Sequence, residues 1–326
     1  MPEVTLRTFD VRSDSGYDAI AGITRAAKPD YPLTVAELKE EDGLSTQAGT
    51  PWMRLLATDE TEIPIGFAEF TPSWWQPAPG KFFLRLLVRP EFHGEGVGKM
   101  LYDALWSEMV RHHPTYVKIE WREDMTRAVR FFEERGWSEV SRWYESRLDI
   151  AGFDFTPFAD DFDRPLGEGI TITSWHDLKA SDPDADRKMW QAVMEMLPDV
   201  PSDEPFVPMP FDEFQTVVMN RPNLDHNGFF VAVDASTGDY VGISHLWRRQ
   251  ADNDLDTGLT ATKRSHRRKG IALALKLRVL QWAQANGFRA LRTGNEVNNR
   301  PMLAINERLG FTKQPPWIEF VWKPDA

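Results

Sequence analysis

The chain has no cysteine among its 326 residues. That absence excludes disulfides, thiolate metal ligands and any route through an enzyme-bound thioester. Histidines number only seven and none falls in a spacing such as His-x-x-x-His, so no metal is expected. No apolar run approaches the ~20 residues of a membrane span. The opening MPEVTLRTFDVRSDSG lacks the apolar core of a signal peptide, so a soluble, cytoplasmic protein without a membrane partner is expected. Positive charge is in deficit: 38 Lys and Arg face 50 Asp and Glu, a net charge of −12. Nucleic acid repels such a chain unless one face is locally basic, and no basic stripe with interleaved aromatics occurs. A small cationic partner is tolerated. What the chain does have is apolar substance, 41% hydrophobic residues with 13 Trp, enough for real cores and incompatible with disorder.

The two halves repeat. His93-Gly94-Glu95-Gly96-Val97-Gly98 has a counterpart in Arg267-Arg268-Lys269-Gly270-Ile271-Ala272, and Phe131 to Trp137 has one in Ile305 to Phe311. Trp143 and Glu145 match Trp317 and Glu319. The offsets 270 − 96, 310 − 136, 317 − 143 and 319 − 145 all equal 174. A constant offset requires intervening elements of equal length, so the chain reads as a duplicated domain: 1–150, a linker at 151–168 rich in Asp, Pro and Gly, and 169–326. Phe residues in the linker predict that it packs on a surface. Each half reads as a strand, a helical region with Pro-rich breaks, a hairpin, a further strand, a glycine turn and a helix. A strand, a short helix and a last strand follow. Val97, Leu101, Leu105 and Met109 give the helical spacing in one half and Ile271, Leu275 and Val279 in the other. The fold class is mixed α/β of the α+β type, with a largely antiparallel sheet flanked by helices in each of two tandem domains.

Three glycines at alternate positions followed by Lys99 suggest a phosphate cradle. The nucleotide-triphosphate loop fails, because His93 stands where its first glycine belongs and Met100 where its hydroxyl belongs. The dinucleotide fingerprint fails, because the spacing is G-x-G-x-G and no βαβ unit precedes it. A strand running into a turn of converging amides at a helix N-terminus does fit, and it needs no metal.

Arg/Gln-x-x-Gly-x-Gly/Ala between strand and helix resembles the acetyl-CoA pyrophosphate loop of the GNAT N-acetyltransferase superfamily. Its later N-x-x-A-x-x-L-Y-x-x-x-G-F signature is echoed by Met125 to Trp137 and by Asn299 to Phe311. The resemblance covers nearly the whole chain, twice in register. It implies acetyl-CoA bound by His93, Gly94, Gly96, Val97, Gly98 and Lys99 in the first half. In the second half it implies Arg267, Arg268, Lys269, Gly270, Ile271 and Ala272, with Asn299 and Asn306. Backbone groups of Leu86, Leu87 and Val88, and of Thr260, Ala261 and Thr262, would hold the pantetheine arm.

The implied reaction is direct attack of a primary amine of a small molecule on the acetyl thioester. It calls for an oxyanion donor, a base and an acid. The family's Tyr acid is replaced by Phe132 and by Asn306. Asp256, Glu296 and His245 are the base candidates in the second half, and Glu120 and Glu69 in the first. The more basic loop, Asn299, Asn306 and Asp256 favour the second half as catalytic. Asp199, Asp203, Glu204, Asp212 and Glu213 on the Pro-rich segment suit a cationic amine, and Trp74 and Trp75 offer a pocket floor. The alternative is a non-catalytic acyl-CoA-binding or regulatory protein with both halves degenerate. A monomer acting as an internal pseudo-dimer, or a homodimer, is expected.

Overall fold

The computed structural model describes residues 3–47, 49–73, 78–202 and 204–324. Trp74, Trp75 and Asp203 lie outside them. The chain forms two compact units, Met1–Val140 with Ile318–Ala326, and Ser141–Trp317.

Unit 1 has strands β1 (Thr5–Thr8), β2 (Met53–Thr58), β3 (Pro64–Pro72), β4 (Lys81–Val88) and β5 (Tyr116–Arg122) in that spatial order, with the chain-terminal β13 (Trp317–Trp322) beside β5. β1 to β4 are an antiparallel meander, and β4–β5 is parallel. Helix α1 (Asp14–Ala27) is capped by the Ser13 side chain, which accepts from Gly16 N–H. α2 (Val35–Gln47) starts on a reciprocal Thr34–Glu37 capping box. α3 (Val97–Met109) buries Val97, Leu101, Leu105 and Met109, the residues whose spacing predicts it. α4 (Thr126–Glu133) buries Phe132.

Unit 2 repeats the plan. Its sheet runs β6 (Ser138–Asp149), β11 (Ala290–Glu296), β10 (Asp254–Thr262), β9 (Tyr240–Arg248), β8 (Phe230–Asp234), β7 (Ile170–Ser174), and the short β12 (Thr312–Lys313) also pairs with β6. Its helices are α5 (Ala159–Asp163), α6 (Trp175–Ser181), α7 (Ala185–Met196), α8 (Phe211–Phe214), α9 (Ile271–Ala285) and α10 (Arg300–Arg308). Gly287, at φ 75°, ends α9 where Asn286-Gly287 predicts a stop. The mixed α/β class with a mostly antiparallel sheet is as expected.

The division of the chain differs from the one expected at residue 150. Most of β6, the strand following α4, belongs to unit 2, and β13, the last strand of the chain, belongs from Ile318 onward to unit 1. Periodicity specifies a strand but not its partner. Here the two closing strands are repeats of each other, so hydrophobic pattern cannot tell them apart. Residues 151–168 pack as their Phe residues predict: Phe153, Phe155, Phe158 and Phe162 join the core of unit 2. Among the described residues no helix is long and apolar enough to cross a membrane.

Candidate functional site

Each unit contains one parallel strand pair that parts. β4 and β5 are in register only at Lys81–Tyr116, Phe82–Val117 and Phe83–Lys118. β10 and β11 are in register only at Asp254–Ala290, Leu255–Leu291 and Asp256–Arg292. Beyond these points the facing backbone groups of 84–88 and 257–262 have no partner across the gap and are available to an extended ligand. The halves differ in one respect: β10 carries a bulge between Thr257 and Thr260, whereas β4 pairs with β3 without interruption. Gly258 in that bulge is obligatory, since a Cβ there would stand 1.9 Å from His245 Nε2.

Both parted strands run into a left-handed turn. Gly94 and Gly96 have φ 89° and 86°, and their repeat mates Arg268 and Gly270 have φ 67° and 80°. Gly96 and Gly270 cap α3 and α9, whose first helical bonds come from Met100 and Ala274. The amides before them have no acceptor within the helix and make an anion site at its positive end. Gly98 does not share the requirement: its φ is not left-handed, an added Cβ would make ordinary contacts at 3.7 and 3.8 Å, and its mate is Ala272.

The loop side chains behave differently from the sequence reading. Arg267, expected to meet phosphate, instead binds Asp199 together with Arg264, whose Nε lies 2.8 Å from Asp199 Oδ1. Those hydrogen bonds hold the Asp199 carboxyl below its usual pKa. Asp199 therefore faces the loop, not an incoming amine. Lys263 pairs with Glu195 at 2.7 Å, His266 with Asp234 at 3.1 Å and Lys269 with Glu168 at 3.6 Å. Of the loop cations, Arg268 is exposed and without an ion pair among the described residues. In unit 1, His93 Nε2 lies 3.0 Å from the carbonyl of Val88 and ties the loop to its strand, and Lys99 pairs with Asp103 at 2.5 Å. The Arg127 guanidinium overhangs Gly94, 2.9 Å from where a Cβ would stand.

The candidate acid–base residues divide sharply. Asp256 is the last paired residue before β10 leaves β11, and its carboxylate is 3.3 Å from Arg249 Nη1. Desolvation raises its pKa against the opposing charges of Arg249 and Arg292. Glu296 is committed to a turn, accepting from Asn298 N at 2.6 Å and Nδ2 at 2.8 Å. Asn299 caps α10 through Met302 N. Both have local roles that any free ligand would have to displace. Glu69 is buried between Arg54 and Arg85, whose charges outweigh its burial and keep it ionised, so it holds unit 1 together. His245 is buried between Phe229 and Trp247, with ring centroids 5.0 and 5.1 Å away, and its Nδ1 has no partner. Burial pushes its pKa down to about 4. Glu120, on β5, has its pKa raised to about 7, by burial first and then by the carboxylate of Glu319 on β13.

One corner beside the parted strands is built twice from different residues. In unit 1 it is aromatic. Phe132 lies 6.3 Å from Trp121, 5.3 Å from Trp137 and 6.1 Å from Tyr102, and Trp137 Nε1 donates to the Tyr102 hydroxyl at 3.0 Å. The mates at +174 in unit 2 are Asn306, Asn295, Phe311 and Lys276. There Asn306 Nδ2 donates to Asn295 Oδ1 at 2.6 Å, while the buried Asn306 Oδ1 has no partner among the described residues. Lys276 is 2% exposed, donates no hydrogen bond among the described residues, and lies 5.5 Å from the Phe311 ring. Lys276 escaped the sequence reading because it sits in a largely apolar helix whose other cation, Arg278, is two residues on, and its repeat mate, Tyr102, is not charged.

A family model described as the acetyltransferase (GNAT) family matches residues 16–137 and 190–311, two stretches again 174 apart. No curated protein matches the sequence. Among solved structures the chain is similar to a GCN5-related N-acetyltransferase from Sphaerobacter thermophilus, at TM-score 0.71 and 18% identity, covering 99% of this chain and 97% of that one. It is also similar to a tandem GNAT protein from the clavulanic acid biosynthesis pathway, at TM-score 0.70 and 16% identity, covering 99% of each. A fungal multi-domain protein with a GCN5-related glucosamine N-acetyltransferase region matches at TM-score 0.71 and 14% identity, over 99% of this chain and 38% of that one.

Proposed function

The chain belongs to the acetyltransferase (GNAT) family, whose members use acyl-CoA as acyl donor, and from that premise we propose that it moves acetyl from acetyl-CoA to a primary amine of a small molecule, in unit 2. The observation that carries the choice of unit is a set of buried polar atoms without protein partners around its parted strands: Thr257 Oγ1, Thr262 Oγ1, His245 Nδ1, Asn306 Oδ1 and Lys276 Nζ. An unsatisfied buried group costs about 1–3 kcal/mol, so a concentration of them marks a place where a ligand supplies the partners. The pantetheine arm of coenzyme A, with two amides and a thiol, has the complementary donors and acceptors. The corresponding strand of unit 1 presents Leu84, Leu86, Leu87 and Val88, and its corner is sealed by four rings. Unit 1 keeps the glycine turn and Arg127, which supports a second acyl-CoA site without transfer.

In this reading the pyrophosphate lies on the amides before α9. The thioester carbonyl meets a β10 amide at the bulge, where developing negative charge on oxygen is stabilised by a donor already in place. Asp256 takes the proton that the amine nitrogen sheds on attack; its carboxylate stands at the point where the strands part and is 40% exposed, so it can pass that proton on to solvent. Calorimetry with acetyl-CoA is expected to show two sites. Gly270→Val should remove one of them and stop thiol release with a panel of primary amines, whereas Gly96→Val should remove the other and leave turnover. Turnover surviving Gly270→Val would place the chemistry in unit 1.

A further inference from the structure

We infer that Lys276 takes the place of the missing tyrosine: its ammonium faces the sulfur of bound coenzyme A and protonates it as the thioester breaks. This rests on the reading of unit 2 as an acyl-CoA site. Three observations on the molecule lead there. Lys276 lies on α9, the helix whose N-terminus forms the phosphate loop, and is 2% exposed with no hydrogen-bond partner. Its surroundings contribute no counter-charge, since burial alone lowers its pKa, to about 8. A solitary ammonium in a core is unfavourable, and a purely structural position would have been filled by an apolar side chain.

The second observation is its company. Lys276 stands against Phe311, whose N–H donates to the Asn306 carbonyl at 3.0 Å, and Asn306 occupies the family's tyrosine position. Asn306 cannot give up a proton, but its amide oxygen is itself buried without a donor. A thiol arriving in this corner would donate to Asn306 and accept from Lys276, completing both.

The third is the comparison with unit 1. There Tyr102 fills the position of Lys276, its hydroxyl is engaged by Trp137, and Phe132 stands where unit 2 has Asn306. Among the described residues, the one buried polar atom left unpaired in the corner is the Trp121 indole N–H, which carries no charge and is no acid. The polar corner thus occurs in the unit that has the bulged strand and Asp256.

The amine nitrogen forms the new C–N bond and the C–S bond breaks, with its electron pair going to sulfur. One proton passes from Lys276 Nζ to sulfur, giving free coenzyme A and a neutral lysine. The proton shed by the amine nitrogen, relayed through Asp256 and solvent, recharges the lysine, so the enzyme returns to its starting state.

The test needs no acceptor. Coenzyme A itself is added to the full chain, and the ultraviolet absorbance of its thiolate is followed against pH. A free thiol ionises at roughly 8.5. A positive charge beside sulfur should make one class of bound thiol ionise at least about one unit lower, a tenfold shift in its equilibrium. In Lys276→Met that class should return to the free value or above, and in Lys276→Arg it should stay low, with binding of coenzyme A still detected by calorimetry in each. Identical titrations in wild type and Lys276→Met would overturn the assignment. So would a wild-type bound thiol no more acidic than the free one, a measurement that stands even if a variant fails to fold. Absence of any coenzyme A binding would instead remove the acyl-transfer reading, and this inference with it.

Discussion

A lysine with 2% of its surface in solvent and no counter-ion is a liability at the residue scale, and its sign can be worked out. The unfolded chain gives Lys276 a pKa of 10.5 and the folded one about 8. The folded pKa is the lower, so the penalty is complete below about 8 and vanishes as pH rises past 10.5. The shift corresponds to on the order of 3 kcal/mol at neutral pH. Lys276→Met is therefore expected to raise the unfolding free energy in urea by roughly that amount near pH 7, and to abolish the gain in stability that wild type shows between pH 8 and 10.5. A variant less stable than wild type would mean that the ammonium has a partner after all. Asp199 poses the converse case. It occupies two arginines of the loop before α9, the loop on whose amides we place the pyrophosphate. Asp199→Asn should tighten coenzyme A at unit 2 about tenfold at low salt, with the gain shrinking as salt screens it. Weaker binding in titration calorimetry would show that Asp199 instead holds the arginines in place.

At the scale of elements, the strand–turn–helix is specified by backbone conformation as much as by side chains. Gly96 takes φ 86° and Gly98 does not, although the sequence presents them alike. Gly96→Ala should lower stability by about 1 kcal/mol, the cost of a left-handed L-residue, and weaken coenzyme A at unit 1. Gly98→Ala should be neutral or slightly stabilising in thermal melts, because Ala is the better helix former. The strand–turn–helix is legible in the sequence because its signals are local: alternating strand residues, glycines in the turn, then apolar residues every third or fourth position. Leu86 to Val88 lie on β4 and Thr260 to Thr262 on β10, the two strands that part from their parallel neighbours. What stayed hidden depends on residues far apart in the chain. Asp199 reaches Arg264 across 65 positions, Lys276 meets Phe311, and Glu120 meets Glu319. No periodicity encodes such encounters, and a carboxylate that caps a turn, such as Glu296, looks in sequence like one that waits for a proton.

For the molecule as a whole, the consequence of the exchanged strands is that the last strand of the chain stabilises the half that is distant in sequence. β13 delivers Ile318 and Phe320 to the core of unit 1, and Trp322 meets Trp106 with ring centroids 4.8 Å apart. Losing two such side chains costs about 2–5 kcal/mol each, before the loss of the strand's hydrogen bonds, against a domain stability of roughly 5–15 kcal/mol. Deleting residues 317–326 should therefore unfold unit 1, whose other strands all lie far upstream, and spare most of unit 2. Hydrogen exchange resolves the outcome: amides of β3, β4 and β5 should lose protection in the shortened chain, while those of β9 and β10 keep it. The functional corollary follows from the assignment of the chemistry. Such a chain should retain one coenzyme A site by calorimetry and lose the other, and the surviving site should be the one that Gly270→Val abolishes. Loss of protection confined to unit 2 would instead mean that β13 closes its own half, as the linear order of the repeat suggests.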